Sequence, residues 1–171
     1  MSLNVAIDGP VGAGKSSVAD ALAARLGILH LDTGAMYRAL GLTALERGIN
    51  PENEEAIVKL CDELDISVEY GNNGQRTLAD GVDVTGKIRS QEVSMAASAV
   101  SRYPAVRRRM VARQQALAET TDMVLDGRDI CTTVLPNATA KIFLTASPEE
   151  RARRRWEEMK EKGGKDSFEE V

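Results

Sequence analysis

The chain has 171 residues, with 22 basic against 26 acidic side chains and a formal charge of −4. That length fits one domain, with at most a small insert, and buries roughly two-thirds of the unfolded surface without a disulfide or metal staple. Hydrophobic content of 43% with 28% charged residues excludes a disordered, collagenous or coiled-coil chain, and the acidic balance argues against bulk nucleic-acid binding. No apolar run approaches the ~20 residues of a membrane span. Met1-Ser2-Leu3-Asn4-Val5 has no basic region leading into an apolar stretch, and Ser2 stands where N-myristoylation needs glycine. Cys61 and Cys131 are far apart and His30 is the only histidine, which argues against a protein-built zinc site. The expectation is a cytoplasmic protein with reduced thiols.

Leu3 to Asp8 reads as a buried strand, followed by a glycine-rich turn from Gly9 to Gly14. A helix follows, with Val18, Leu22 and Leu26 predicted on its buried face and Gly27 as its stop. Ile28 to Leu31 is a second strand. Asp32-Thr33 can cap a helix from about Ala35 to Arg47, and Pro51 is expected to open another carrying Ile57, Leu60, Cys61 and Leu64. From Ile66 to Ile88 the pattern alternates around Asn73-Gly74 and Asp80-Gly81, the mark of a small antiparallel sheet. Helices are predicted over about Gln91–Ser101 and from Pro104 to about Glu119. Met123 to Asp126 and Ala140 to Leu144 are the third and fourth core strands. Ser147-Pro148-Glu149-Glu150 is a capping box opening a helix that frays at Gly163-Gly164. Strands separated by helices imply an α/β fold with a parallel sheet.

The sharpest motif is Gly9-Pro10-Val11-Gly12-Ala13-Gly14-Lys15-Ser16, which fits G-x-x-x-x-G-K-[ST] between a predicted strand and a predicted helix. In such a loop, backbone N–H groups point at phosphate oxygens and the helix N-terminus adds positive potential. Lys15 would place its charge on the β- and γ-phosphates, Ser16 would offer its hydroxyl to Mg²⁺, and Ser17 completes the ATP-binding stretch. The motif does not name the acceptor. GTPase, motor and helicase signatures are absent, which leaves a small kinase.

Five segments carry a resemblance: Ile7-Asp8-Gly9-Pro10, Gly12-Ala13-Gly14-Lys15, Asp32-Thr33-Gly34-Ala35-Met36-Tyr37-Arg38, Ile88-Arg89-Ser90-Gln91-Glu92-Val93 and Asp126-Gly127-Arg128-Asp129. In this order they resemble the bacterial cytidylate kinase family, from Leu3 to about Arg155. The resemblance implies a nucleoside-monophosphate-kinase-like parallel sheet flanked by helices, with a small β insert at about 65–90 and a partial lid. It implies one kinase domain over 1–171, with the lid beginning at about 155. It also implies that Asp129, Ser98 and Arg107 read cytosine. A carboxylate accepts from the exocyclic amine and arginine donates to ring acceptors, whereas uracil would set a carbonyl against the carboxylate. Ser98 fits the solvated face of a helix as well. Arg38 and Arg128 would hold the acceptor phosphate, their guanidinium forks suiting a dianion. Thr33 and Gly127 fall beside the acceptor. Tyr37 fits either that site or the core, and Asp126 either holds Mg²⁺ through water or only caps. Arg108, Arg109 and Arg113, beside Arg107, read as a solvated face, and Arg151 and Arg155 as i,i+4 partners or donor-side contacts.

The implied activity is transfer of the ATP γ-phosphoryl group to CMP or dCMP, with Mg²⁺, by a monomer that needs neither membrane nor nucleic-acid polymer. Two rivals remain: a small P-loop kinase for another acceptor, and an inactive nucleotide-binding fragment. Cys131 stands where the family usually has glycine. The chain also ends at Val171, inside the family's lid. The resemblance therefore implies a C-terminally shortened chain without the further lid helix, its closing arginine and aspartate, and a fifth core strand.

Overall fold

A computed structural model describes residues 2–161. In chain order, β1 (Asn4–Asp8), α1 (Lys15–Leu26), β2 (Leu29–Asp32), α2 (Thr33–Glu46) and α3 (Glu54–Glu63) lead into a small sheet of β3 (Ile66–Gly71), β4 (Gly74–Ala79) and β5 (Val82–Asp83). Then come α4 (Gln91–Val100), α5 (Pro104–Thr120), β6 (Met123–Gly127), a π-helical turn (Ile130–Val134), β7 (Ala140–Phe143) and α6 (Pro148–Glu161). The main sheet is parallel in the order β2-β6-β1-β7, and β3-β4-β5 is antiparallel. The expected α/β architecture with a β insert is therefore present.

Period-two alternation assigns the two faces of the main sheet. Ala6, Leu31, Met123 and Leu125 face the larger core, with Met36, Leu40, Ile57, Val100 and Met110 from the helices. Val5, Ile7 and Val124 face a smaller core under α1. Here one expectation fails. Ala19 and Ala23 are the buried residues of α1 and Leu22 is half-buried, while Val18 and Leu26 are exposed. The strand residues already supply bulk, so alanines let the helix lie close to the sheet.

Caps set most other boundaries. Asp32 Oδ1 accepts from Ala35 N at 3.2 Å, as predicted, and Ser90 Oγ accepts from Val93 N at 3.2 Å. Asn53 caps α3 by accepting from Ala56 N at 3.2 Å, so that helix starts at Glu54 and Pro51 stays in the preceding turn. The first hairpin turns on Asn72-Asn73, since Gly71 pairs with Gly74, one position earlier than Asn73-Gly74 suggests. Asp80-Gly81 forms the second turn, with φ of 49° and 77°, the left-handed pair a type I′ hairpin needs. Glu150 N donates to Ser147 Oγ at 3.2 Å. The Glu150 carboxylate turns to Arg153 and Arg154 at 2.7 and 2.8 Å, so only half of the box forms. Gly163-Gly164 lies outside the described residues.

The small sheet is anchored to the edge of β2 by one side chain. Gln75 Oε1 accepts from Asp32 N at 2.8 Å and Gln75 Nε2 donates to Asp32 O at 3.4 Å, as a neighbouring strand would. At the other edge, Ile142 and Phe143 of β7 are 37% and 73% exposed. No described helix is long and apolar enough to cross a membrane.

α2 and α4 pack closely at Gly41, where an added Cβ would sit 2.9 Å from Ala97 N and 3.2 Å from the Ala96 carbonyl carbon. Gly41→Ala gains ~1 kcal/mol of helix propensity. Overpacking against backbone costs ~1–3 kcal/mol. The expected outcome is net destabilisation of about 1 kcal/mol in urea unfolding, larger for Gly41→Val. A more stable G41A would show that the two helices separate freely.

Candidate active site

The C-terminal edge of a parallel sheet is where open α/β folds place their ligands. Three strands here end on carboxylates: β1 on Asp8, β2 on Asp32, and β6 on Asp126 one residue before its end. The Gly9–Gly14 turn leaves β1 beside them and opens α1. A Cβ on Gly9 would lie 2.0 Å from the Leu144 carbonyl oxygen, so only glycine allows the chain after β7 to cross the loop. Lys15 Nζ donates to Pro10 O at 3.0 Å, folding the lysine back along the loop. Burial lowers the Lys15 pKa and Arg128 adds to the effect, while Asp126, Asp8 and Asp32 oppose it.

Each carboxylate is held differently. Asp8 is buried and accepts from Ile130 N and Cys131 N, both at 2.8 Å. Asp32 caps α2, and its Oδ2 meets Arg38 Nη2 at 2.7 Å and Arg89 Nη2 at 3.6 Å. Asp126 Oδ2 accepts from Ser16 Oγ at 3.1 Å, and Asp126 Oδ1 lies 2.6 Å from His30 Nε2. The other ring nitrogen, His30 Nδ1, lies 2.6 Å from Asp20 Oδ1. Burial works to lower the His30 pKa, but the bonds to Asp126 and Asp20 and their charges win and raise it.

Ser16 and Asp126 give one hydroxyl and one carboxylate oxygen set beside the lysine. Oxygen-only donors suit Mg²⁺, which keeps waters and takes nucleotide phosphates as its remaining ligands. Among the described residues no cluster of three His, Cys, Asp or Glu side chains forms a metal cage. The residues present therefore fit a cation that arrives with a nucleotide.

Two clefts flank the loop. One, of about 570 Å³, is lined by Gly12–Gly14, Ser17, Val18, Leu144, Thr145, Arg154, Glu157, Glu158 and Glu161. The other, of about 420 Å³, is lined by Ser16, Asp20, His30, Asp32, Tyr70, Gln75, Arg89 and neighbours. α6 buries none of its residues but lies on the loop: Arg154 Nη1 donates to Gly12 O at 3.3 Å and Ala13 O at 3.1 Å. Beyond Asp126, Arg107 Nη2 donates to Asp129 Oδ2. Both charges act on the Tyr37 hydroxyl, whose pKa burial pushes up to about 12.

A family model described as cytidylate kinase matches residues 5–171. The chain belongs to the cytidylate kinase family. It is 53% identical over 161 residues to a cytidylate kinase of Caldicellulosiruptor bescii, covering 94% of this chain and 71% of that protein. It is 49% identical over 169 residues to a cytidylate kinase of Halalkalibacterium halodurans, covering 99% and 76%. A third, from Caldanaerobacter subterraneus subsp. tengcongensis, is 50% identical over 171 residues, covering 100% and 75%.

The structure divides the residues that the cytidylate kinase resemblance singles out. It brings Lys15, Ser16 and Asp126 together, and separately Tyr37, Arg107 and Asp129. Tyr37 packs against the main core, one of its two alternatives, and lies close enough to Arg107 and Asp129 to feel their charges. Arg38 is held by Asp32, with its Nε buried and unbonded among the described residues. Arg128 is exposed, and Ser98 is exposed on α4 with no described hydrogen bond to Arg107 or Asp129. Thr33 is buried, and its hydroxyl donates to Asp126 O at 2.8 Å, tying β6 to α2. Gly127 has a packing reason: a Cβ there would lie 2.8 Å from both Ile130 Cδ1 and Thr33 Oγ1. Cys131 is half-buried, with Sγ 3.6 Å from Ala6 O and 3.8 Å from Ile142 O, and burial raises its thiol pKa. On α6, Arg154 rather than Arg151 or Arg155 bonds to the loop, while Arg155 pairs with Glu158 at 3.6 Å. Asp8, Asp20 and His30 were missed as site residues. A polar His30 between Leu29 and Leu31 was the available sign.

Asp8 offers a direct check. Asp8→Asn keeps the shape but turns one amide NH₂ against a buried backbone N–H, at a cost of about 1–3 kcal/mol. The expected result is a lower denaturant midpoint with an unchanged slope. An unchanged midpoint would mean that the loop after β6 does not depend on this carboxylate.

Proposed function

We propose that the chain transfers the γ-phosphoryl group of ATP to CMP or dCMP, giving ADP and CDP or dCDP. The observation that carries the acceptor choice is the Arg107–Asp129 pair beside Tyr37. Arg107 uses Asp129 Oδ2, and Asp129 Oδ1 makes no hydrogen bond among the described residues. A carboxylate oxygen accepts from the cytosine amine, while guanidinium N–H groups donate to the ring acceptors. Uracil would set its carbonyl against the same oxygen. Ser98 is read as the third contact to the base.

The donor lies along Gly9–Ser17, with backbone N–H groups and Lys15 on its phosphates. Mg²⁺, bound with the nucleotide at Ser16 and Asp126, supplies charge neutralisation on the phosphate oxygens. Arg38 and Arg128 hold the acceptor phosphate and reduce the repulsion between the two anions. The attacking oxygen is already anionic at neutral pH, so no residue must remove a proton. The side chains align the two phosphates, spread the charge and keep water out.

In this reading residues 1–171 act as one kinase unit, with the insert at about 65–90 on the acceptor side and the lid starting at about 155. It works as a monomer in the cytoplasm, on small nucleotides rather than nucleic-acid polymers. The overall acidic charge supports the last point.

The test is ADP release with CMP, dCMP, UMP, AMP and GMP as acceptors, alongside calorimetric binding of each. CMP and dCMP are expected to exceed the others in kcat/KM. Equal rates for UMP would overturn the assignment, and CMP binding without turnover would favour an inactive nucleotide-binding protein. Asp129→Ala should lower kcat/KM for CMP by about 10–100-fold, the worth of one charged hydrogen bond. ADP affinity should stay within about 3-fold, because Asp129 lies outside the P-loop. Equal loss of both would contradict its role.

A further inference from the structure

His30 has no part in the reading above, yet it makes two of the shortest hydrogen bonds at the site. Its ring is 12% exposed and is anchored in β2 between two apolar residues. Nε2 lies 2.6 Å from Asp126 Oδ1, and Nδ1 lies 2.6 Å from Asp20 Oδ1 on α1. Asp126 is buried and Asp20 is exposed. Carboxylate oxygens only accept, so the two contacts are complete when both ring nitrogens carry hydrogen.

The grip on Asp126 comes from three directions. His30 takes Oδ1, the Ser16 hydroxyl donates to Oδ2 at 3.1 Å, and the Thr33 hydroxyl donates to the main-chain carbonyl at 2.8 Å. Without His30, rotation about the carboxylate's own bond would be opposed only by one neutral hydroxyl. With it, the oxygen facing Ser16 is fixed by a bond on the opposite side. Asp20 in turn holds the ring from α1, the helix that carries Ser16 in its first turn. Ser16, Asp126, His30 and Asp20 thus link α1 to β6 to β2 and back to α1.

We propose that His30 is a positioning residue for the metal side of this site: it orients the Asp126 carboxylate so that Asp126 and Ser16 together receive nucleotide-bound Mg²⁺. This rests on the reading of Ser16 and Asp126 given above. In this role His30 acts through Asp126 rather than as a ligand of the metal. Outer partners that orient a metal-facing carboxylate typically set metal affinity by about 10–100-fold.

The test is ADP binding to the untagged chain by calorimetry, with Mg²⁺ and again with a chelator. The ratio of the two affinities is the gain due to Mg²⁺. In wild type this gain is present. In His30→Leu it should fall about 10-fold. In His30→Gln, whose amide can still donate to Asp126, it should stay within about 3-fold of wild type. ADP affinity in chelator and CMP affinity should match wild type in both variants. A full Mg²⁺ gain in H30L overturns the proposal. So does an equal loss in H30Q and H30L, or a loss of chelator-side ADP affinity, since those outcomes mark a merely structural residue. Wild type gives a second measurement that does not depend on either variant folding. His30 is the only histidine, so its imidazole NMR signals are unambiguous. They should move on adding Mg²⁺ with ADP and not on adding ADP in chelator, and signals unmoved by Mg²⁺ with ADP would overturn the proposal. Failure of wild type to gain from Mg²⁺ would remove the reading of Ser16 and Asp126 along with this one. Failure to bind CMP would remove only the acceptor reading.

Discussion

Three carboxylates gathered at one end of a parallel sheet must each be compensated, and the rest of the site is arranged around that demand. Uncompensated, buried Asp8 and Asp126 would repel each other and lose their hydration. Each is answered by a different element. The backbone after β6 answers Asp8, the N-terminus of α2 with Arg38 and Arg89 answers Asp32, and Ser16 with His30 answers Asp126. Burial lowers the Lys15 pKa, and the charges of all three carboxylates work against that shift.

The same compensation explains the local backbone. Asp8 draws in the two amides that begin the π-helical turn at Ile130–Val134. That turn closes over β1 and β6 and sets Asp129 beside Arg107. Gly127 admits Ile130 and Thr33 at distances no side chain would allow. Residues on either side of the Asp-Gly-Arg-Asp segment are therefore structural, and Arg128 and Asp129 are carried between them toward solvent. This separates what a short motif contains: Gly127 is fixed by packing, while Arg128 is exposed and Asp129 half-buried beyond it.

Much of this was legible in the sequence because it is local. The strand–loop–helix context of the P-loop, the Asp32 and Ser90 caps and the Asp80-Gly81 turn depend on residues within a few positions of each other. The buried face of α1 was misread because leucine and valine outrank alanine in a hydrophobic pattern. The decision lay with the sheet beneath, which left room only for Ala19 and Ala23. The start of α3 was misread because Pro51 and Asn53 both carry helix-start signals, and only the cap bond to Ala56 N separates them. The π-helical turn and the Asp126–His30–Asp20 chain were not legible at all. They are made by residues 122 and 96 positions apart, brought together by strand order rather than by any local preference.

The contact of α6 with the loop shows how one strip of backbone can serve two sides. A trans peptide carries its C=O and N–H on opposite sides. Arg154 takes the carbonyls of Gly12 and Ala13. The peptide nitrogens of Ala13 and Gly14 are thereby turned away from α6. One of them, Ala13 N, closes the loop on Pro10 O at 3.3 Å. Glu150 holds Arg154 from within the helix at 2.8 Å, so the guanidinium is steadied before it reaches the loop. A helix that buries no residue of its own is thus placed by polar contacts to the segment it covers. These part-buried polar bonds, rather than an apolar face, are what seat the helix on the loop.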